Sequence, residues 1–434
     1  MDRSILAVLT GTFTLRLSTG LTGALLVYYL AELPDYGGQK VDEFVIGLFA
    51  ATFFVAELVL SPFFGLLSDR LGHYRVMQIG PIFGAVAVIL TGISTNLLVL
   101  GGTRWLEGAS TAASVPSILG FIAMVTADDE KLRGGVVARF EAATIAGLGV
   151  GIVAAGALWA LFGPVSFFLN AGLYGVSWAI YRYGVAAHAP ARPPAHRERL
   201  GWRRYAQLLR SPQIWLLAPT WIAVNASLGL WTSHSIFQLV RDPDPRFSDQ
   251  VLAAGFSPLE VSLGLAVAGL IFFAGLFYWG DRFKKYRRTT IIFYGILGGV
   301  VVVAGGLLFN HSTGQPFLFQ ALYLAAAAMG LFVLAGATPA ALGLLADISE
   351  SFPNDRGAVM GLYSVFLALG QIAGAFVGAA AADLRGIDGL LLATLLLLIV
   401  ALLPLFHLRL FEHRFEPLPG NRESTAEPLL PERR

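Results

Sequence analysis

The chain has no cysteine among its 434 residues. Disulfides, thiol catalysis and cysteine-ligated metal sites are therefore excluded. Charge is also scarce: 13% of residues are Asp, Glu, Lys or Arg, about half the roughly 25% of a soluble domain. No Gly-x-x-x-x-Gly-Lys-Ser/Thr loop occurs, so no nucleotide-driven motor is built in. The seven histidines fall in no metal-ligand spacing, and no nucleophile–base constellation appears. An enzyme, a resident cofactor, a metal centre and a nucleic-acid partner are all unexpected. The net charge of +2 matters less than where the charges lie.

What is abundant is apolar sequence. Hydrophobic residues make up 56% of the chain and the mean hydropathy is +0.68. Many runs reach the roughly 20 residues that cross a bilayer core. About twelve such spans are expected, near 5–31, 43–66, 76–95, 97–126, 136–161, 164–184, 213–240, 259–280, 289–309, 317–346, 357–382 and 388–408. The first follows Met1-Asp-Arg3 without a small-residue cleavage site and reads as a retained span.

Lys and Arg set the expected orientation. One side carries Arg70, Arg75, Lys131, Arg133, Arg282, Lys284, Lys285, Arg287 and Arg288, with seven more arginines between Arg182 and Arg210. The other side is acidic, with Glu32, Asp35, Asp42 and Glu43 after span 1 and Asp242, Asp244 and Asp249 after span 7. Both termini and the central loop are expected to be cytoplasmic, in a multi-pass protein of the cell membrane. Residues 185–212, with Pro190, Pro193 and Pro194 ahead of an Arg-rich run, read as a linker with a surface helix. The tail 409–434 reads as disordered.

The chain also repeats itself. At an offset of 223, Pro116, Leu119, Gly120 and Ala123 fall on Pro339, Leu342, Gly343 and Ala346. Arg133-Gly134 falls on Arg356-Gly357, and Gly147 and Gly151 fall on Gly370 and Gly374. Two acidic-basic hairpins, at Asp69-Arg70 and Asp281-Arg282, occupy matching places after spans 2 and 8. The expected fold is an all-α membrane protein of two pseudo-symmetric six-helix bundles, 1–184 and 213–408, around a central cavity. Duplicated membrane domains of this kind rock one half against the other.

The first hairpin, Gly65-x-x-x-Asp69-Arg70-x-Gly72-x-x-Arg75, closely resembles the signature loop of the major facilitator superfamily. The second copy is worn: Phe277 and Lys284 replace the glycines, while Asp281, Arg282 and Arg287 remain. Gly65 would let helices approach and Gly72 would permit the turn. The resemblance implies a cytoplasmic gate latch: Asp69 and Asp281 would face the starts of spans 5 and 11 near Arg133 and Arg356. Arg70 would meet Asp128 or Glu130, and Arg282 would meet Asp347 or Glu350. Membership implies a secondary transporter that works by alternating access as a monomer, taking a small-molecule substrate and protons within the bilayer.

Four charges lie deep in apolar segments: Arg16, Glu57, Arg104 and Glu107. Such charges are costly, about 2.5–3.5 kcal/mol each, and usually functional. Their second-half counterparts Gly269, Ala327 and Gly330 (for Glu57, Arg104 and Glu107) are uncharged. Arg104-Trp-Leu-Glu107-Gly108 resembles an Arg-x-x-Gln-Gly pattern of proton-coupled members, with an acid in place of Gln. Two readings stand for these charges: a proton and substrate site, or a static ion-pair cluster. Glu141 is expected to snorkel to the cytoplasmic face. Ser227, Trp231, His234 and Gln238 share one stripe of span 7. With Asn225, Gln320, Tyr323 and Gln371 they would line the second half of the cavity. Span 5 has Gly147, Gly149, Gly151 and Gly156 but no following Pro, so the drug-antiporter signature is incomplete. Export of amphipathic, drug-like molecules leads; exchange or uptake of a sugar, organic anion or other metabolite is the alternative, and a non-transporting scaffold a remote one.

Overall fold

The computed structural model describes residues 3–126, 130–186, 212–280, 282, 285–341, 344 and 356–411. The twelve expected spans are present there as helical segments, and no strand occurs among the described residues. In chain order they are Arg3–Ala31, Glu43–Leu71, a broken third span (His73–Val76 and Ile79–Ile93), Leu97–Val125, Glu130–Phe162 and Val165–Gly184. The second half follows with Pro212–Val240, Pro258–Gly280, Arg288–Asn310, Phe317–Leu334, and a last run Arg356–Phe411. That run holds spans 11 and 12, separated where Arg385 (φ −144°, ψ 21°) and Gly386 (φ 56°, ψ −133°) leave helical geometry. Among the described residues, nine stretches are long and apolar enough to cross a membrane, Val365–Arg409 containing two spans. Val165–Gly184 and Pro212–Val240 fall outside those nine. Span 6 buries the polar Asn170 and Ser177, and span 7 buries Asn225, Ser227, His234 and Gln238. A span that is too polar for lipid has its polar face turned into protein.

Within lipid the hydrophobic effect does not draw helices together, so close packing of small residues must. Span 5 does this against span 1. A Cβ on Gly147 would lie 2.6 Å from the Phe13 carbonyl oxygen and 2.9 Å from Arg16 Cβ, and one on Gly151 would collide with the Leu17 carbonyl. Span 11 repeats the contact against span 7. A Cβ on Gly370 would lie 2.7 Å from the Ile222 oxygen and 2.5 Å from Asn225 Cβ, and one on Gly374 would collide with the Ala226 carbonyl. Phe13, Arg16 and Leu17 thus correspond to Ile222, Asn225 and Ala226, an offset of 209 that shares almost no side chains. The duplication is one of backbone geometry, and Asn225 occupies the place of Arg16.

The halves meet along two matching seams. Span 5 reaches span 8, where Gly156 lies under Pro258 and Ser262 and Gly149 under the ring of Phe273. Span 2 reaches span 11, where a Cβ on Gly47 would lie 2.7 Å from the Ala375 oxygen and 3.2 Å from Ala379 Cβ. Phe44 and Phe376 meet beside that contact, tilted by 41° with ring centroids 6.3 Å apart. Ile236, Phe237 and Val261 of the second half join the core of the first. All of these contacts except Gly149–Phe273 lie toward the acidic loops, so the halves are closed against each other at the acidic face.

At the opposite, basic face the hairpin after span 2 turns as the glycine predicts: Gly72 has φ +91°, and its N–H donates to the Ser68 carbonyl at 3.0 Å. The hairpin is anchored by His73, whose ring fills the space left by Gly120 of span 4, and by Tyr74, which donates to the Arg182 carbonyl at 2.8 Å. Gly65 departs from expectation. A Cβ there would sit 3.8 Å from Pro116, an ordinary contact.

These contacts order the glycines by cost. Gly151→Ala forces a methyl onto a backbone carbonyl and is expected to lose about 1–3 kcal/mol. Gly102→Ala, with open space around it, should lose nothing. Thermal unfolding in detergent micelles of the two variants checks the order.

Candidate functional site

Arg16, Glu57 and Glu107 lie near the middle of spans 1, 2 and 4, and the structure brings them together. Gly108 is the reason spans 2 and 4 approach: its α-carbon sits against the Phe53 carbonyl and Ala56, and a Cβ would lie 3.2 Å from the Glu57 nitrogen. The residue after Glu107 therefore adjoins Glu57. Arg16 enters from span 1, where Gly147 admits its Cβ; its guanidinium donates to Thr111 at 3.4 Å. The same guanidinium acts electrostatically on Glu57 and Glu141. Arg16 retains only 9% exposure, while Glu57 is half-buried and Glu141 exposed. Glu141, expected to snorkel, is exposed and lies within the electrostatic reach of Arg16.

Arg104 and Glu107, one helical turn apart, form a direct ion pair. Arg104 also lies over the Phe53 ring, 4.9 Å from its centroid, a contact worth about 0.5–2 kcal/mol. Glu107 is 1% exposed; its Oε2 takes the arginine, and its Oε1 is buried with no hydrogen-bond partner. An unsatisfied buried carboxylate oxygen is expensive, and binding a proton is one way to reduce that cost.

The second-half residues divide into four groups. Asn225 donates to the Trp221 carbonyl at 2.9 Å, and Ser227 to the Val224 carbonyl at 2.7 Å, both within their own helix. Trp231 donates to Thr394 of span 12 at 2.9 Å, and Gln371 accepts from Thr232 at 3.3 Å, so both tie helices together. Gln320 donates to the Ser312 carbonyl at the start of span 10, and the Tyr323 carbonyl packs on Gly305. His234 and Gln238 do neither: they cross to the first half and bond Glu43. Arg241 joins them with a bond to Glu43 Oε1 at 3.2 Å.

Glu43 and Arg241 were not singled out by sequence reasoning. Glu43 follows the N-cap Asp42 and resembles any acid in a first helical turn. Arg241 did carry a signal, as a basic residue at the end of a span whose following loop is acidic. Of the latch residues, Arg70 and Arg75 are exposed at the basic face, and Arg282 stacks over Tyr278 at 4.4 Å. Arg287 stands at the N-cap position of span 9, where its backbone carbonyl accepts from the Thr290 and Ile291 N–H groups. Asp128, Asp281 and Asp347, with Glu350, lie outside the described residues, as do the side chains of Asp69, Glu130, Arg133 and Arg356.

Breaking the Arg104–Glu107 pair from one side leaves a buried unpaired charge. Arg104→Gln is expected to cost about 3–5 kcal/mol. Adding Glu107→Gln should recover most of the loss, which a double-mutant cycle of thermal stabilities measures.

Known proteins resemble this chain along its whole length. A family model described as Major Facilitator Superfamily matches residues 8–254 and again 247–433. The quinolone resistance protein NorA of Staphylococcus aureus (strain MSSA476) is 25% identical over 392 residues, 89% of this chain and 91% of that protein. Multidrug resistance protein 1 of Bacillus subtilis (strain 168) is 26% identical over 337 residues, 77% of this chain and 79% of that one. Among solved structures, the nucleoside transporter NupG superposes with a TM-score of 0.69 at 16% identity, covering 95% of this chain and 99% of its own. A bacterial homologue of the lysosomal transporter Spinster, inward-facing and unoccupied, gives a TM-score of 0.67 at 11% identity, covering 96% and 98%. These two share the fold. With both halves of the chain matched by the family model, the chain belongs to the major facilitator superfamily, a family of membrane transporters and not of enzymes.

Proposed function

We propose that the protein is a proton-coupled exporter of amphipathic, drug-like small molecules that works by alternating access. The observation that carries this reading is Glu107, a mid-membrane acid with one oxygen on Arg104 and the other unsatisfied. Such an acid has a use for a proton, and Arg104 supplies a cation that competes with the proton for it. Glu57 and Glu141 around Arg16 form a second acid–base group in the same half. An incoming cationic substrate would be met by Glu57 or Glu107, and protonation would dismiss it. Support also comes from the names of the relatives, which are resistance proteins for quinolones and multiple drugs.

In this reading the basic face is cytoplasmic, and the acidic face looks outward across the cell membrane. The hairpins at Asp69 and Asp281 act as latches on the cytoplasmic side. Arg16, Glu57, Arg104 and Glu107 are the proton and substrate groups of the cavity, with Asn225, Trp231 and Gln371 as walls of its second half. One copy of the chain suffices, because both halves of the cavity come from one polypeptide. A second reading is favoured by the two arginines at mid-depth: they suit an organic anion or other metabolite, taken up or exchanged.

Proteoliposomes separate these. With a pH gradient imposed, wild-type protein should accumulate a fluorescent amphipathic cation. Glu107→Gln and Glu57→Gln should lose gradient-driven accumulation while substrate counterflow survives. Full gradient-driven transport by both variants would remove the acids from coupling, and transport of anions alone would favour the second reading.

A further inference from the structure

Among the described residues, Glu43 is the only first-half side chain in a buried polar cluster otherwise supplied by the second half. It is 4% exposed; His234 and Gln238 are fully buried. His234 Nδ1 lies 2.9 Å from Glu43 Oε2, and His234 Nε2 lies 2.8 Å from the Ala375 carbonyl oxygen. Gln238 and Arg241 both donate to Glu43 Oε1. Gly378 leaves the space that the imidazole occupies.

The two nitrogens of this imidazole face two acceptors. A neutral histidine has one N–H. If it sits on Nε2, the Nδ1 lone pair meets an ionised Oε2; if it sits on Nδ1, the Nε2 lone pair meets the Ala375 carbonyl. Either tautomer beside an ionised Glu43 leaves one repulsive contact in a buried place. One further proton removes it, on the imidazole or on Glu43, since a protonated Oε2 would donate to Nδ1. We propose that His234 and Glu43 hold one shared proton as a clasp between the two halves, so that closing the acidic face takes up a proton and opening it releases one. The proposal deepens the proton-coupled reading by placing a proton site on the gate as well as in the cavity.

The surroundings fit a proton that is held and released. Arg241, bonded to the same carboxylate, opposes the extra positive charge. Span 11 presents the Ala375 carbonyl and has no ionisable residue from Val365 to Ala382. From span 2, Asp42 is exposed and caps Val45. From span 1, Tyr28 lies beside Ser262 of span 8, and Glu260 of span 8 is bonded to Ser257. In the loop after span 7, side-chain and backbone bonds from Arg246 hold the Asp244 carboxyl down at about 2, so it stays ionised. His311 bonds Asp388 and Asp249. All three belong to the second half, so its titration does not read the separation of the halves.

Linkage fixes the sign. The closed acidic face binds one more proton than the open one, so acid favours closure and rising pH favours opening, by at most about tenfold in population per pH unit. Because the chain lacks cysteine, Gln39→Cys and Ser248→Cys place a pair of spin labels on exposed positions of the two acidic-face loops without background. Pulsed dipolar EPR in nanodiscs, with no substrate present, then reads the distance between the halves from about pH 5 to pH 8, the window in which histidine switches. A short distance should dominate in acid, with a longer one growing as pH rises. Glu43→Gln, whose amide can meet Nδ1 as donor, should keep the short distance and lose the pH response; His234→Gln should also lose the response, and His311→Gln should keep it. A pH-independent wild-type distribution would overturn the clasp. So would a response that survives Glu43→Gln and His234→Gln, or a Glu43→Gln protein open at every pH. Failure of drug export would appear in flux assays alone and leave these distances unchanged.

Discussion

Backbone-to-backbone contact between spans 1 and 5, copied between spans 7 and 11, is the constraint on which the rest depends. In lipid an apolar surface gains nothing by meeting another apolar surface, so each bundle must be held by contacts that only small residues allow. Gly147 and Gly151 press on Phe13–Leu17, and Gly370 and Gly374 press on Ile222–Ala226. Because these seams admit no side chain, each half moves as a unit. The side chains beside the seam are then free to differ between the halves. Arg16 in one and Asn225 in the other are the result: the same backbone position holds a charge in the first half and a self-satisfied amide in the second.

The seams between halves are built differently. Toward the acidic face they are as tight as those within a bundle, with Gly156 under Pro258 and Gly47 under Ala375. Deeper in, the contact passes to the ring of Phe273 above Gly149, a side chain that can turn aside. Tight packing that ends in a movable aromatic suits a hinge-like separation better than sliding. At the acidic end the fit is reinforced by the polar cluster on Glu43, in a place where an unmade hydrogen bond would be costly. Separation of the halves there must therefore supply water or protons to those groups.

The sequence made the repeat legible where side chains were retained. The offset of 223 located Gly147, Gly151, Gly370 and Gly374, and the structure shows why these persist: each meets a backbone atom. The matching offset of 209 between spans 1 and 7 was hidden, because what is kept there is the carbonyl and amide opposite each glycine, which any residue provides. Gly72 was readable because a positive φ demands it, whereas Gly65 looked like a contact glycine and is not one. Arg104 with Glu107 was readable from helical spacing. The stripe of span 7 was found, but its destination was not. His234 and Gln238 sit on the expected face, yet their height along the helix carries them past the cavity to the acidic end, where Glu43 waits on a different half of the chain. No local pattern encodes that meeting.

Acid–base groups thus occur at two depths of one interface. The mid-depth set, Arg16 with Glu57 and Glu141 and Arg104 with Glu107, belongs wholly to the first half, so its internal distances need not change when the halves rock. The Glu43 cluster is divided between the halves, so its distances must change. A proton on Glu107 can alter what the cavity binds without itself breaking a contact between bundles. A proton shared by Glu43 and His234 acts on the bundle contact without touching the cavity. Duplication supplied a symmetric scaffold, and the loss of symmetry at these two depths separates the two tasks that an alternating-access transporter must link: choosing a cargo and choosing a side.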